Sequence, residues 1–512
     1  SGGTQQSSTT VTVASGGAVS GLLTYGTISA NAGATLSGVS IGNNTQGTSG
    51  TVYASGAFLS GVINDEGVLQ GGTLVSGGTI IAGQRTWGMI SGVSIQSGGT
   101  ALVSSGGAAN YVSLNGGYIR FANGSMPLFI SFGAGGGVIE AGSGFSWGGA
   151  NDAAHGPMSG GTLLIDSGAS VSAVVVNQGG TLQLQSGGVI NGNISNSGVV
   201  SGGTQQSSTT VTVASGGAVS GLLTYGTISA NAGATLSGVN IGNNTQGTSG
   251  TVYASGAFLS GVINDEGVLQ GGTLVSGGTI IAGQRTWGMI SGVSIQSGGT
   301  ALVSSGGAAN YVSLNGGYIR FANGSMPLFI SFGAGGGVIE AGSGFSWGGA
   351  NDAAHGPMSG GTLLIDSGAS VSAVVVNQGG TLQLQSGGVI NGNISNSGVV
   401  SGGTQQSSTT VTVASGGAVS GLLTYGTISA NAGATLSGVS IGNNTQGTSG
   451  TVYASGAFLS GVINDEGVLQ GGTLVSGGTI IAGQRTWGMI SGVSIQSGGT
   501  ALVSSGGAAN YV

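Results

Sequence analysis

Few residues in this chain could carry acid–base, metal or nucleophilic chemistry. The 512 residues include five Lys or Arg, twelve Asp or Glu, two His and no Cys. Because Cys is absent, disulfides, thiolate zinc sites and thiol catalysis are excluded. Within residues 1–200, the acid, base and imidazole groups are Asp65, Glu66, Arg85, Arg120, Glu140, Asp152, His155 and Asp166.

Paired carboxylates are the first chemistry to test. Glycoside hydrolysis needs two carboxyl groups that face one groove, but Asp65 and Glu66 are adjacent and would point to opposite faces of a strand. Asp152, His155 and Ser159 lie close together, whereas the members of a catalytic triad normally converge from separated segments. One His with one Asp is also an incomplete metal site. The sequence therefore predicts no enzyme, no metal and no cofactor.

Because catalysis and metal binding are not predicted, the charged residues of the chain are candidates for contacts at the surface. Arg85 follows Asp65 by about the length of one β-helix coil, and Trp87 comes next but one after Arg85. One interpretation is a cross-turn ion pair on a solvated surface, which contributes little stability. The alternative is a glycan or partner contact, in which Arg85 and Trp87 stack on a sugar ring and Asp65, Glu66 and Trp147 add further contacts. Both interpretations stay open.

Long internal repeats govern the organisation of the chain. Residues 201–400 copy residues 1–200 with one change, from Ser40 to Asn240, and residues 401–512 copy residues 1–112. Repetition of this kind indicates an array of units that contact mainly their neighbours. The sequence predicts repeat units at 1–200 and 201–400 and a partial unit at 401–512, and we expect the chain to be a segment of a longer protein.

Composition limits the class of protein and its partners. Gly fills 117 positions, charged residues make up 3% and hydrophobic residues 39% of the chain, and the net charge is −7. Disorder would require lower hydrophobicity. No basic patch exists, which predicts no nucleic-acid partner and no contact with an anionic membrane surface. No apolar run approaches the ~20 residues of a membrane helix, so any membrane attachment would need an anchor outside this segment.

The fine pattern of the sequence is that of short strands separated by glycine. Apolar and small polar residues alternate over residues 10–13 and 181–185, which is typical of β-strands. Ser-Gly-Gly elements such as 76–78 and 97–99 close the strands, since Gly accepts the positive φ of a sharp turn. Two or three strands recur every ~20 residues, the length of one β-helix coil. We predict an all-β parallel β-solenoid of about 25 coils, which at ~4.8 Å per coil would be of order 120 Å long.

Residues 118–158 depart from this regularity. Aromatic residues cluster here, and we interpret them as packing in a wider coil or a loop excursion. An exposed aromatic patch for a partner or a glycan is the alternative. The residues concerned are Tyr118, Phe121, Phe129, Phe132, Phe145 and Trp147, with Pro127 and Pro157.

The repeated sequence resembles the repeats of a known family. Residues 71–81 (GGTLVSGGTII) and 94–108 (SIQSGGTALVSSGGA) are similar to the passenger repeats of AIDA-type self-associating autotransporter adhesins. The resemblance covers most of each unit and is weaker over 118–158. It implies a right-handed parallel β-helix, export to the surface of a Gram-negative bacterium, and adhesion or aggregation.

The pattern and the resemblance together favour a structural function. We expect a secreted fibre or adhesin, at the bacterial cell surface or in the extracellular matrix, that associates with copies of itself in cell aggregation, adhesion or biofilm. The alternative is a glycan-binding or polysaccharide-processing β-helix module that is repeated for avidity.

Overall fold

Short parallel strands follow one another around three sides of a coil in the computed structural model of the chain. The structure describes residues 1–43, 47–148, 159–243, 248–348, 358–443 and 448–512. Within these ranges all regular structure is β-strand, and no helix is present. The chain divides into two compact units, Ser1–Phe258 and Leu259–Val512. The fold is a right-handed parallel β-solenoid, as predicted.

In the first unit, the described strands of successive turns lie on side one, then side two, then side three. Side one contains Thr4–Gln5, Leu23–Thr24, Ser40–Ile41, Val62–Asp65, Thr79–Ala82, Thr100–Val103, Gly117–Phe121, Gly137–Ala141, Thr162–Ile165, Thr181–Leu184, Val199–Ser201, Ala218–Ser220 and Thr235–Ser237. Side two contains Thr10–Val13, Thr27–Ala30, Thr51–Tyr53, Val68–Gln70, Gly88–Ser91, Gly107–Asn110, Met126–Leu128, Ser146–Trp147, Ser170–Val171, Val189–Ile190, Thr204–Gln205, Leu223–Thr224 and Asn240–Ile241. Side three contains Ala18–Ser20, Thr35–Ser37, Phe58–Ser60, Thr73–Leu74, Ser94–Gln96, Ser113–Asn115, Ser131–Phe132, Val174–Val176, Ile194–Asn196, Thr210–Val213, Thr227–Ala230 and Thr251–Tyr253.

The second unit repeats this arrangement. Side one contains Val262–Asp265, Thr279–Ala282, Thr300–Val303, Tyr318–Phe321, Val338–Ala341, Thr362–Ile365, Thr381–Ile390, Val399–Gln405, Ala418–Ser420, Thr435–Ser437, Phe458–Ser460, Thr473–Leu474 and Ser494–Ile495, of which the two long strands continue onto side two. Side two further contains Val268–Gln270, Gly288–Ser291, Gly307–Asn310, Met326–Leu328, Ser346–Trp347, Ser370–Val371, Leu423–Thr424, Ser440–Ile441, Val462–Asp465, Thr479–Ala482 and Thr500–Val503. Side three contains Thr273–Leu274, Ser294–Gln296, Ser313–Asn315, Ser331–Phe332, Val374–Val376, Ile394–Asn396, Thr410–Val413, Thr427–Ala430, Thr451–Ala454, Val468–Gln470, Gly488–Ser491 and Gly507–Asn510.

Columns of inward side chains hold the turns together. On side one, Ile63 pairs with Ile80, Ile80 with Ala101, and Ala101 with Ile119, and all four side chains are buried. Each buried Ile, Leu or Val contributes about 1.5–3 kcal/mol relative to exposure. Side one of each unit has thirteen paired strands in the described residues, which at ~4.8 Å per turn makes each unit about 60 Å long.

One copy of the repeat is ten turns plus one further side. In the first unit, Val19 lies on side three, whereas its equivalent Val219 pairs with Val200 on side one. In the second unit, Ile263 lies on side one and its equivalent Ile463 on side two. The strand Val199–Ser201 also runs across the junction between the first two copies. Within each unit, equivalent residues of successive copies are therefore displayed on different sides.

Residues 118–148 continue the regular turns. Side one carries Gly117–Phe121 and Gly137–Ala141, which pair in parallel. Phe121, Phe145 and Trp147 pack inside, with ring centroids 5.7–6.2 Å apart. The interpretation of these aromatic residues as packing is correct for the three. Asp152, His155 and Pro157 lie outside the described residues.

Candidate binding site

Asp65 lies in the core and not at the surface. The period of two along Val62–Asp65 turns its side chain inward, between Ile41 of the preceding turn and Ala82 of the next. One carboxyl oxygen, Oδ1, accepts a hydrogen bond from the N–H of Gly67 at 3.0 Å, and the buried Oδ2 has no partner within the described residues. Burial raises the pKa of Asp65 to about 7. The expectation that Asp65 contacts a glycan or a partner is therefore wrong, because no external group can reach it.

Glu66 points outward at the corner between sides one and two. Its Oε1 accepts a hydrogen bond from the N–H of Arg85 at 2.8 Å, and its Oε2 accepts the N–H and hydroxyl of Thr86 at 2.6 and 2.9 Å. The same contacts recur at Glu266 and Glu466. Burial acts to raise the pKa of Glu466, but these N–H donors outweigh it and the pKa is lowered. Glu66 thus fixes the backbone of the protruding loop 83–87.

The guanidinium of Arg85 has no carboxylate partner among the described residues. Because Glu66 is bound through the backbone of the loop and Asp65 is buried, the cross-turn ion pair between Asp65 and Arg85 does not form. Trp87 is 40% exposed and ends the same loop, just before Gly88–Ser91. Arg85 and Trp87 therefore lie on one loop, which Glu66 binds from the preceding turn, and a contact of these three residues with a glycan or a partner stays a prediction. Trp147 is only 3% exposed, so the expected contact by Trp147 is wrong.

A cavity of about 380 Å³ lies beside this loop in the first copy. Gly42 and Asn43, which follow Ser40–Ile41, line one side and residues 84–86 line the other, with the short corner at Glu66 between them. Polar side chains dominate the lining. They are Tyr25, Ser40, Asn43, Asn64, Glu66, Gln84, Arg85 and Thr86. The equivalent residues of the third copy line a cavity of about 400 Å³. These volumes fall within the range of ligand pockets, about 300–1,000 Å³.

Gly42 decides where the ring of Tyr25 lies. A Cβ atom at Gly42 would be 2.5 Å from Cε1 of Tyr25, and one at Gly442 would be 2.5 Å from the same atom of Tyr425. Only glycine therefore lets the tyrosine ring lie over the next turn, where it lines the cavity. We refer to this cavity, with Tyr25, Glu66 and Arg85 around it, as the corner cavity.

A second charged cluster lies on side one and was missed at the level of sequence. Arg120 contacts Glu140 at 2.5 Å and Asp166 at 3.3 Å, and the hydroxyl of Tyr118 donates to Glu140. Burial raises the pKa of Asp166, as does its interaction with Glu140. For Glu140, burial acts to raise the pKa, but the Tyr118 hydroxyl and the guanidinium outweigh it and the pKa is lowered. Arg120 and Glu140 are one coil length apart in the sequence, and this separation could have indicated the pair.

An exposed pair of stacked aromatic rings lies at the corner between sides two and three. Tyr111 and Phe129 are 61% and 45% exposed, and their rings are 4.7 Å apart and nearly parallel. Both residues have positive φ, 50° and 54°, at a corner where Gly71 and Gly92 occupy the two preceding turns. Met126, on the strand that ends just before Phe129, is also exposed. A positive φ costs a bulky residue of order 1–3 kcal/mol, so folding alone does not account for these two rings.

The described residues contain no group of three or more His, Cys, Asp or Glu that could hold a metal ion. In the same part of the chain, no helix is long and apolar enough to span a membrane.

Comparison with solved structures gives six matching chains, and comparison with family models and curated proteins gives none. The chain is similar to the crystal structure of a TibA fragment that was hyper-glycosylated by TibC catalysis, with 17% identity over 86% of this chain and 99% of that one. The TM-score is 0.14. A score this low carries no argument, and the fold is established by the strand register alone.

Proposed function

We propose that the chain is a structural, non-catalytic component of a fibre or adhesin at the bacterial cell surface or in the extracellular matrix, and that it associates with copies of itself. The stacked parallel turns satisfy the backbone hydrogen bonds along each unit, so that added copies add turns. The sequence resemblance to AIDA-type passenger repeats supports this proposal. Both carboxylates of the side-one cluster are bound to Arg120, which supports a structural role for that cluster.

The observation that carries self-association is the exposed aromatic pair. Tyr111 and Phe129, with Met126 and Leu128 beside them, form an apolar surface on a chain that has few charges to repel a second copy. The pair recurs as Tyr311 and Phe329. Exposed apolar patches mark interaction sites, and the strained φ values show that glycine would cost less at these corners. A second copy of the chain would bury these rings.

Sedimentation over a range of concentrations tests this proposal. Replacement of Tyr111, Phe129, Tyr311, Phe329 and Tyr511 by Gly should leave the fold intact, because Gly adopts positive φ without strain, and should weaken association about tenfold or more. A matched control replaces Tyr53, Tyr253 and Tyr453 by Ser, since these are exposed tyrosines on ordinary strands. A wild-type chain that remains monomeric at high concentration would contradict self-association.

The corner cavity favours a second candidate function, the recognition of surface glycans by a site that is repeated for avidity. Its amide, hydroxyl and guanidinium groups are those that bind sugar hydroxyls, and Tyr25 supplies an aromatic ring. A glycan array tests it with the wild type, with Arg85→Ala combined with Arg285→Ala and Arg485→Ala, and with Trp87→Ala combined with Trp287→Ala and Trp487→Ala. Binding that is unchanged in the Arg85 variant would place any glycan elsewhere.

A further inference from the structure

The arginines of the chain fall into two groups. All five cationic side chains are arginine, because the chain contains no Lys. Arg120 and Arg320 are each bound to two carboxylates. Arg85 and Arg485, in contrast, line the two described corner cavities and form no ion pair within the described residues. The positive charge that is not neutralised by a side chain therefore lies at these cavities.

Glu66, the carboxylate that lines the cavity, forms no ion pair with Arg85. Both oxygens of Glu66 instead accept hydrogen bonds from the backbone N–H groups of residues 85 and 86. The guanidinium is left with its five donors in a planar fork, a geometry that matches a carboxylate. The other lining groups, such as Asn43, Asn64 and Gln84, are neutral donors and acceptors.

We propose that the corner cavity binds a carboxylated sugar, a hexuronate residue of an acidic polysaccharide. The sugar carboxylate pairs with Arg85, the ring lies against Tyr25, and its hydroxyls hydrogen-bond to Asn43, Asn64 and Gln84. A small inorganic anion would use the guanidinium but neither the aromatic ring nor most of the 380 Å³. This inference rests on the second of the proposed functions and is independent of self-association.

Calorimetric titration of the full chain with a galacturonic acid tetramer tests the inference. A neutral galactose tetramer and inorganic phosphate serve as the other probes. We expect the acidic tetramer to bind at no fewer than two sites and at least about tenfold more tightly than the neutral one, because a charge-assisted pair is roughly twice as strong as a neutral hydrogen bond. Its affinity should also fall as salt is raised.

Substitutions of arginine test whether the acidic tetramer binds at the corner cavity. Arg85→Gln, combined with Arg285→Gln and Arg485→Gln, should reduce the affinity for the acidic tetramer about tenfold or more, and the corresponding Lys variants should lose less. The matched control, Arg120→Gln with Arg320→Gln, should leave the affinity unchanged because those guanidinium groups are already paired.

The outcomes separate the two proposals. Equal affinity for the neutral and acidic tetramers would overturn the acidic ligand but keep glycan recognition, whereas no binding of either would overturn both. If phosphate displaced the acidic tetramer at a concentration similar to that of the tetramer, the cavity would be a general anion site, and the proposal of a sugar ligand would be wrong. Binding that survives in the Arg85 variants would overturn the location.

Discussion

Two charged regions of each copy use the same residue types in opposite ways. On side one, Arg120 forms ion pairs with both Glu140 and Asp166. At the corner between sides one and two, the charged groups do not pair. Asp65 is buried in an apolar column, Glu66 accepts hydrogen bonds from backbone N–H groups, and Arg85 is exposed to solvent.

The difference separates charges that form ion pairs across turns from charges that do not. Strands of successive turns lie ~4.8 Å apart, so outward charges in the same register can neutralise one another across turns, as Arg120 and Glu140 do. At the corner, the protruding loop 83–87 carries Arg85 away from that register. Groups without a charge partner cluster at functional sites, and for this reason the corner cavity is our candidate binding site.

The largest expected effect concerns Asp65, Asp265 and Asp465. Burial raises the pKa of Asp65 from 3.8 to about 7, so the folded state holds a proton that the unfolded state loses. The pKa of Asp265 is raised to about 8. Stability is therefore fully present below pH ~4, falls as the pH rises to ~7 or ~8 and is constant above, with a loss of about 4–6 kcal/mol per site. Replacement of all three by Asn should remove this decline. Denaturation at pH 4 and pH 8 measures it, and parallel profiles for variant and wild type would contradict it.

The next effect contrasts the two arginines directly. Arg120→Gln with Arg320→Gln leaves Glu140 and Asp166 without their cation, and we expect a loss of about 1–2 kcal/mol per copy, reduced by the partial exposure of the guanidinium. Arg85→Gln with Arg285→Gln and Arg485→Gln should change stability by less than about 0.5 kcal/mol. Urea denaturation compares the two variants. Equal losses would show that Arg85 is as structural as Arg120.

A smaller effect follows from the loop that Glu66 holds. Glu66→Gln in all copies weakens the charge-assisted hydrogen bonds to the N–H groups of Arg85 and Thr86, by about 1 kcal/mol. Hydrogen exchange of these two amides should then be about fivefold faster. The amides of Thr79–Ala82, on the adjoining strand, are the internal control and should not change. Unaltered exchange at the loop would show that Glu66 does not hold it.

The smallest effect is expected at Gly42. A methyl group there would overlap the ring of Tyr25 at 2.5 Å and should turn the ring away from the cavity. We expect Gly42→Ala, with Gly242→Ala and Gly442→Ala, to weaken hexuronate binding about threefold, roughly the value of a weak aromatic contact. Tyr25→Phe, with its equivalents, keeps the ring and should bind more tightly than the alanine variant. Weaker hexuronate binding by the Tyr25→Phe variant than by the Gly42→Ala variant would exclude the tyrosine ring as a contact.

Much of the fold could be predicted from the sequence because its determinants are local. Alternation over 10–13 and 181–185 predicts the strands, and glycine after the strands predicts the corners, such as Gly77 with φ 75°. The predicted coil length also agrees with the structure, since Ile63, Ile80, Ala101 and Ile119 follow one another up one column at close to that spacing.

The candidate site was only partly predictable because turn lengths vary. The separation of one coil length between Asp65 and Arg85 predicts a pair, yet the side chain of Asp65 turns inward and the loop 83–87 lifts Arg85 out of register. Period alone does not say whether an acidic residue at the end of a strand faces in or out. The stacking of Tyr111 on Phe129 depends on positive φ at non-glycine corners, for which the sequence offers no signal.

Arginine-selective NMR tests the contrast between the two regions most directly. The five arginines of the chain give Nε–H signals that can be followed while the galacturonic acid tetramer is added. We expect the signals of Arg85 and Arg485 to shift and those of Arg120 and Arg320 to stay in place. Shifts confined to Arg120 and Arg320, or no shift at any arginine under saturating tetramer, would contradict the division of the charges into paired and available groups.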